Sequence, residues 1–140
     1  MDEEVVQPVD RAGLVVRGCP GDVSSAVERC TAELGRRGLR LMTTFDHGAG
    51  ARSVGLDLPA EVVLAFGDPA VGTRLMQLDP AIGIELPLKL LLWEQDGATQ
   101  VGFVDPVSWS ERYAVPADDP VLTGMRHLLG QLAEHLAGAP

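Results

Sequence analysis

Asp46 and His47 are the pair of residues in this chain best suited to chemistry. Histidine is the one side chain whose unperturbed pKa, about 6.5, allows proton exchange near neutral pH. The pair ends a predicted strand and precedes Gly48-Ala49-Gly50, a flexible turn from which the imidazole could reach a pocket. Adjacent strand residues point to opposite faces, so Asp46 is poorly placed to orient the ring. We predict His47 as a candidate acid or base and both residues as ligand contacts; the alternative is a capping Asp46 and a packed His47.

A second glycine-containing turn follows the apolar strand predicted at 61–66. Gly67 breaks this strand, Asp68 can cap a helix, and Pro69 fits the first helical position. Free backbone donors there could bind a small anion, or Asp68 could satisfy them itself. We predict that this turn and the Asp46-His47 turn share one pocket. The ligand-binding candidates here are Gly67, Asp68, Gly72, Thr73 and Met76.

Lys89 interrupts the apolar strand predicted after Pro87. A buried ammonium group needs a partner because its desolvation is costly. On a sheet with one solvated face, the side chain could instead point to water. Lys89 is therefore predicted either as a cation of the pocket or as a solvated residue.

Composition and motifs exclude several classes of function. The formal net charge of −9 argues against a nucleic-acid partner, which needs clustered basic residues. The Gly48–Gly50 stretch lacks both the third glycine of a dinucleotide fingerprint and the Lys-Ser/Thr ending of a P-loop. The histidines and cysteines have no ligand-like spacing, so we expect neither a metal nor a cofactor. An acidic start and the lack of an apolar run of membrane length predict a cytoplasmic protein with no membrane partner.

Periodicity predicts the order β-α-β-(short α)-β-α-β-β-α. In the second strand, Leu41, Thr43 and Phe45 alternate onto one face, which His47 would continue. Asp96-Gly97 between two apolar runs predicts a hairpin. The fold class is therefore α+β, a two-layer sandwich with a mostly antiparallel sheet of about four or five strands and two long helices on one face. Residues 1–12 are predicted as a flexible or edge leader and residues 13–137 as a single domain.

An ordered set of short motifs resembles the domain of unknown function 302 family over about residues 14–113. The matching motifs are Asp46-His47, Ala51, Val54-Gly55, Leu58, Phe66-Gly67-Asp68-Pro69, Val71-Gly72-Thr73, Leu75-Met76-Gln77 and Leu86-Pro87-Leu88-Lys89. The family commonly has Asn where this chain has Asp68. The resemblance implies a TBP-like fold, β-α-β(4)-α, in bacterial and archaeal cytosolic proteins that tend to form homodimers. It implies no particular reaction.

Two functions fit this sequence. The first is a small-molecule-binding or interaction module whose pocket lies at the two turns. The second is a cofactor-independent enzyme for proton transfer, an isomerase, lyase or cyclase, with His47 as general acid or base. The strand at 39–46 and the hairpin at 88–104 offer more apolar surface than two helices can cover, so a homodimer is expected in either case.

Overall fold

The computed structural model describes residues 11–138, which form one antiparallel sheet and four α-helices. Residues 1–10 of the predicted leader lie outside the described residues. The domain limits at 13 and 137 stay a prediction. The elements are β1 (Leu14–Cys19), α1 (Val23–Arg36), β2 (Arg40–Asp46), α2 (His47–Ser53), β3 (Glu61–Gly67), α3 (Pro69–Leu78), β4 (Leu88–Gln95), β5 (Ala98–Val104) and α4 (Pro120–Ala137), with short 3-10 helices at Pro80–Glu85 and Pro106–Glu111.

The sheet has the strand order β1-β5-β4-β3-β2, and every neighbouring pair is antiparallel. Strands β2 to β5 lie between the two long helices in the chain, which confirms the predicted α+β class and element order. The TBP-like label stays a prediction. The edges of the sheet are β1 and β2.

Aspartates begin the helices, as local sequence predicts. Asp22, Asp46, Asp68 and Asp119 each accept a backbone N–H of the helix that follows. Such a cap stabilises a helix by about 1 kcal/mol. At the hairpin, Asp96 and Gly97 have φ values of 52° and 80°, the left-handed conformation that a tight two-residue turn requires.

The core lies between the sheet and its two long helices. Leu34 of α1 and Leu129 of α4 are almost completely buried there, against Leu64 and Leu90 of the central strands. The opposite side of the sheet carries the alternate residues of each strand, and we call it the open sheet face. Its central row, from edge to edge, consists of Val16, Gly102, Leu91, Val63 and Phe45.

A β-bulge in β2 overturns the predicted alternation of that strand. Leu41 pairs with Phe66 and Thr43 with Ala65, so Met42 is an extra residue in the ladder. A bulge of this kind reverses the face of every residue that follows it. Leu41 therefore packs on the core, whereas Phe45 is 58% exposed on the open sheet face.

Candidate functional site

The two turns predicted to share one pocket lie at opposite ends of the sheet. Asp46 pairs with Val62 near the start of β3, and Arg40 pairs with Gly67 at its end. Five residue steps separate these pairs, which corresponds to roughly 17 Å at ~3.3 Å per residue. The prediction of a shared pocket is wrong because the C-terminal ends of antiparallel neighbours point in opposite directions. Each turn lines a groove of its own.

The first groove lies on the open sheet face and contains His47 and Lys89. It has a volume of about 1010 Å³ and is floored by apolar side chains such as Val16, Val63 and Leu91. Its charged lining residues are Arg11, Glu61, Glu85, Lys89 and Asp96. The groove therefore presents charges of both signs around an apolar floor.

His47 begins helix α2 and is exposed at this groove. A packed His47 was one of the two predicted alternatives, and the exposed imidazole does not match it. None of the side-chain hydrogen bonds between residues 11 and 138 involves its imidazole. The neighbouring Asp46 accepts the Ala49 N–H at 2.8 Å as the cap of α2 and does not orient the ring. A general acid or base gains from an orienting partner, and the described residues supply none to His47.

Lys89 is exposed on the open sheet face and is tied to the backbone. Its Nζ donates to the carbonyl oxygens of Glu85 and Pro87, each at 3.1 Å. The carboxylate of Glu85 is itself engaged by the Tyr113 hydroxyl at 2.8 Å. These hydrogen bonds give the Lys89 ammonium a structural role at the start of β4.

The second groove lies between α3 and α4 and has a volume of about 740 Å³. Helix α3 contributes four lining residues at helical spacing, namely Pro69, Gly72, Thr73 and Met76. Val121, Gly124, Met125 and Leu128 of α4 face them at the same spacing, and Leu88 and Gly67 lie between the helices. We call it the methionine groove, because Met42, Met76 and Met125 line it and are the three methionines between residues 11 and 138.

Glycines keep this groove open. A Cβ added at Gly124 would meet no heavy atom within 4 Å, and one at Gly67 would meet nothing closer than 3.9 Å. At Gly72 the added Cβ would lie 3.4 Å from Cδ1 of Leu86, so this position is partly occupied. The two facing helices thus leave a space that ordinary helix packing would fill.

Asp68 and Thr73, two polar residues that line the groove, are hydrogen-bonded to backbone groups of α3. Asp68 accepts the Ala70 N–H at 2.9 Å, the self-capped arrangement that was one of its predicted alternatives. The Thr73 hydroxyl donates to the Pro69 carbonyl at 2.7 Å. Arg74 is the one other charged residue among those lining the groove. The groove is therefore apolar along most of its length.

Five of the predicted site residues line the methionine groove, namely Gly67, Asp68, Gly72, Thr73 and Met76. Sequence reasoning missed Met42, Arg74, Gly124 and Met125 as lining residues. One available signal was Gly124, since a glycine inside the strongly periodic apolar stripe of the last helix costs stability unless space is needed there.

The two cysteines lack the features of reactive thiols. Burial raises the pKa of the Cys30 thiol to about 12 and raises that of Cys19 as well. A raised pKa keeps the thiol protonated and therefore weakly nucleophilic. Among residues 11–138, no cluster of three or more His, Cys, Asp or Glu side chains is arranged to hold a metal ion.

The architecture defines an α+β domain with a five-stranded open antiparallel sheet. The chain belongs to the family described as "Domain of unknown function DUF302", whose model matches residues 16–132. A crystal structure of an uncharacterised conserved DUF302 protein from Bacillus stearothermophilus superposes with a TM-score of 0.77, over 89% of this chain and 98% of that one. At 19% identity, this likeness concerns the fold.

The curated relatives of this chain are named as ion channels and not after the DUF302 family. The chain is 35% identical over 130 residues to the "Fluoride-specific ion channel FluC 1" of Brucella suis, covering 91% of this chain and 51% of that protein. The Brucella melitensis "Fluoride-specific ion channel FluC 2" matches equally, with 48% of its length covered. The chain thus spans about half the length of the curated relatives it matches. Within residues 11–138, no helix has both the length and the apolar character required to cross a membrane.

Proposed function

We propose that this domain is a small-molecule-binding module and that the methionine groove is its binding site. The observation that carries the proposal is the space between two helix faces that are each interrupted by a glycine, Gly72 and Gly124. Its volume of about 740 Å³ falls in the range of ligand pockets, roughly 300–1,000 Å³.

The lining indicates an apolar ligand. Met42 and Met76 are 44% and 37% exposed at the groove, and Met125 is buried beneath it. Unbranched, polarisable methionine side chains adapt to ligands of different shape. Exposed methionines next to an unfilled groove therefore favour binding of an apolar group over a purely structural role.

A matched pair of variants in α4 tests the proposal. Gly124→Leu places a side chain in the groove, whereas Gly130→Leu changes the same helix at a position where an added Cβ also meets nothing within 4 Å. Both changes remove a helix-destabilising glycine, so both proteins should fold. We expect Gly124→Leu to weaken binding of Nile red, an uncharged apolar dye, at least tenfold and Gly130→Leu to leave it unchanged. Equal binding by both variants would refute the site.

The protein as purified offers an independent test. Native mass spectrometry should detect a co-purified small molecule, and the Gly124→Leu protein should lack it. Gly124 is a sharper choice than Gly72, because a leucine at position 72 would press on Leu86.

We propose in addition that the domain acts as a cytoplasmic homodimer through its open sheet face. Phe45 and Val104 are 58% and 44% exposed there, beside the apolar row formed by Val16, Leu91 and Val63. An uncovered apolar face of this kind in a single copy supports burial against a second copy.

The alternative function, a cofactor-independent enzyme, rests on His47 and has less support. The imidazole is exposed and lacks a described orienting partner, and Lys89 is engaged by backbone carbonyls. Among the described residues, His47 makes no side-chain hydrogen bond to the acidic residues or to Lys89 of the same groove. Proton exchange by this residue therefore remains the weaker proposal.

The curated relatives suggest a second candidate function, which is association with a fluoride channel. The supporting observation is that proteins named fluoride-specific ion channels contain a region matching 91% of this chain. Covalent linkage of such a region to a channel in one protein favours a functional association between the two. Retention of such a channel on the immobilised domain in detergent would support the association, and failure to retain it would contradict it.

A further inference from the structure

We infer that the ligand of the methionine groove is an amphipathic anion, with its alkyl chain between α3 and α4 and its carboxylate or phosphate on Arg74. This inference rests on the proposed small-molecule function and adds the chemical class of the ligand. The groove supplies an apolar path and a single guanidinium beside it.

Charge is the first argument. Asp68 and Arg74 are the two charged residues that line the groove. The Asp68 carboxylate accepts the Ala70 N–H through Oδ1 as the cap of α3, so this oxygen is engaged within the protein. Arg74 has no hydrogen bond or ion pair to any side chain in the described part of the chain. The groove therefore offers one cation to a ligand.

Arg74 differs from the other arginines in its position, because it is the arginine that lines the methionine groove. Six of them bind acidic or carbonyl oxygens of the protein: Arg17, Arg29, Arg36, Arg37, Arg112 and Arg126. Arg40 and Arg52 also lack a hydrogen bond or ion pair among the described residues, but neither of them lines the methionine groove. Arg74 is exposed at the groove, and no other described side chain engages its guanidinium.

The depth of the groove is the second argument. Leu88 in its floor is 5% exposed, whereas Arg74 is exposed at the surface. A molecule with an apolar chain and a negative head group could place the chain against the buried Leu88 and the head group at the exposed Arg74. The planar guanidinium is weakly hydrated and binds carboxylate or phosphate through two parallel hydrogen bonds, which the point charge of a lysine does not reproduce.

The test compares ligands that share one alkyl chain and differ in the head group. The assay measures displacement of Nile red from the full chain by dodecanoate, dodecyl phosphate, dodecanol and dodecyltrimethylammonium. Each compound is used below its micelle-forming concentration. We expect the two anions to bind more tightly than dodecanol by on the order of three- to tenfold, and the cation to bind most weakly. The tighter of the two anions identifies the head group as carboxylate or phosphate.

Variants of Arg74 separate this inference from the proposed function. Arg74→Gln should remove the advantage of the anions and leave dodecanol binding unchanged, and Arg74→Lys should retain part of it. Arg52→Gln, which changes an exposed arginine at the other end of β3, is the matched control and should have no effect. The advantage of dodecanoate should also shrink as salt is added, because the ion pair is solvent-exposed.

Two failures remain distinguishable. Equal affinity for dodecanol and both anions, unaffected by Arg74→Gln, would overturn the anion inference while the groove still binds apolar ligands. No binding of any probe, with Gly124→Leu indistinguishable from the parent protein, would overturn the binding function and the anion inference together.

Discussion

The indole ring of Trp93 lies directly over Gly102 on the open sheet face. A Cβ built on Gly102 would stand 3.0 Å from Cζ3 and 3.1 Å from Cη2 of Trp93. The ring is held in this position by a hydrogen bond from its Nε1 to Oε1 of Gln95, at 3.0 Å. The glycine is therefore part of the packing of the tryptophan, an arrangement in which an aromatic ring covers a strand glycine.

Gly102→Ala is expected to destabilise the protein by about 1–3 kcal/mol, because the new methyl group must displace the ring. Denaturant unfolding measures the loss, and tryptophan emission reports the displaced ring. Gly18→Ala is the control, since an added Cβ at this other open-face glycine meets nothing within 4 Å. A Gly102→Ala protein with unchanged midpoint and emission would contradict the prediction.

Substitutions of the adjacent residues Asp46 and His47, at the start of α2, should differ in their effect on the free energy of unfolding. Asp46→Ala removes the cap on the Ala49 N–H and should cost about 0.5–2 kcal/mol. His47→Ala removes an exposed side chain and should change stability by no more than about 0.5 kcal/mol. Thermal melts of the two variants give the comparison. A large loss for His47→Ala would mean that the imidazole holds a partner.

The ionised carboxylate of Glu33, in α1, contributes to the free energy of unfolding, and this contribution is lost at low pH. Hydrogen bonds from Arg37 and Arg36 hold the pKa of this carboxyl below its usual range. The contribution of Glu33 is thus fully present above the unfolded pKa, about 4.3, and is lost as the pH falls through the lower folded pKa. Glu33→Gln should reduce stability at neutral pH, with the difference shrinking in acid.

Urea midpoints of the parent and Glu33→Gln proteins across this pH range measure the effect. Glu28→Gln is the control on the same helix, since no ion pair between described residues involves Glu28. A difference between parent and Glu33→Gln that grew as the pH fell would have the wrong sign for this linkage.

The proposed dimer predicts a specific effect of a charge at Phe45. Light scattering at micromolar concentration should give the mass of two chains, and Phe45→Glu should give that of one chain. Leu78→Glu is the control, because Leu78 is 52% exposed but belongs to α3 and not to the open sheet face. A single-chain mass for the parent protein would remove the dimer.

Local signals in the sequence predicted most of the fold. The capping aspartates and the Asp96-Gly97 turn act through neighbouring backbone groups, so their sequence context is sufficient. The orientation of Phe45 was not predictable in this way. The bulge at Met42 depends on pairing with β3, and the alternation of β2 alone does not reveal it.

The site was predicted only in part for the same reason. Gly72 and Thr73 lie at a groove, as expected from their turn, but the opposite wall comes from α4, some fifty residues later in the chain. Which helix faces α3 is decided by packing across the sheet. His47 was assigned to the wrong neighbours because strand ends look alike in sequence, whereas antiparallel pairing places the ends of β2 and β3 at opposite ends of the sheet.

Lys89 is the single lysine of this 140-residue sequence, and its ammonium group lies on the open sheet face. Amine-reactive reagents consequently have one side-chain target here, apart from the chain's α-amino group. Acylation of that target can be followed by mass as one discrete increment. The rate of that increment would report whether the surface around Lys89 is accessible or covered, without any engineered label.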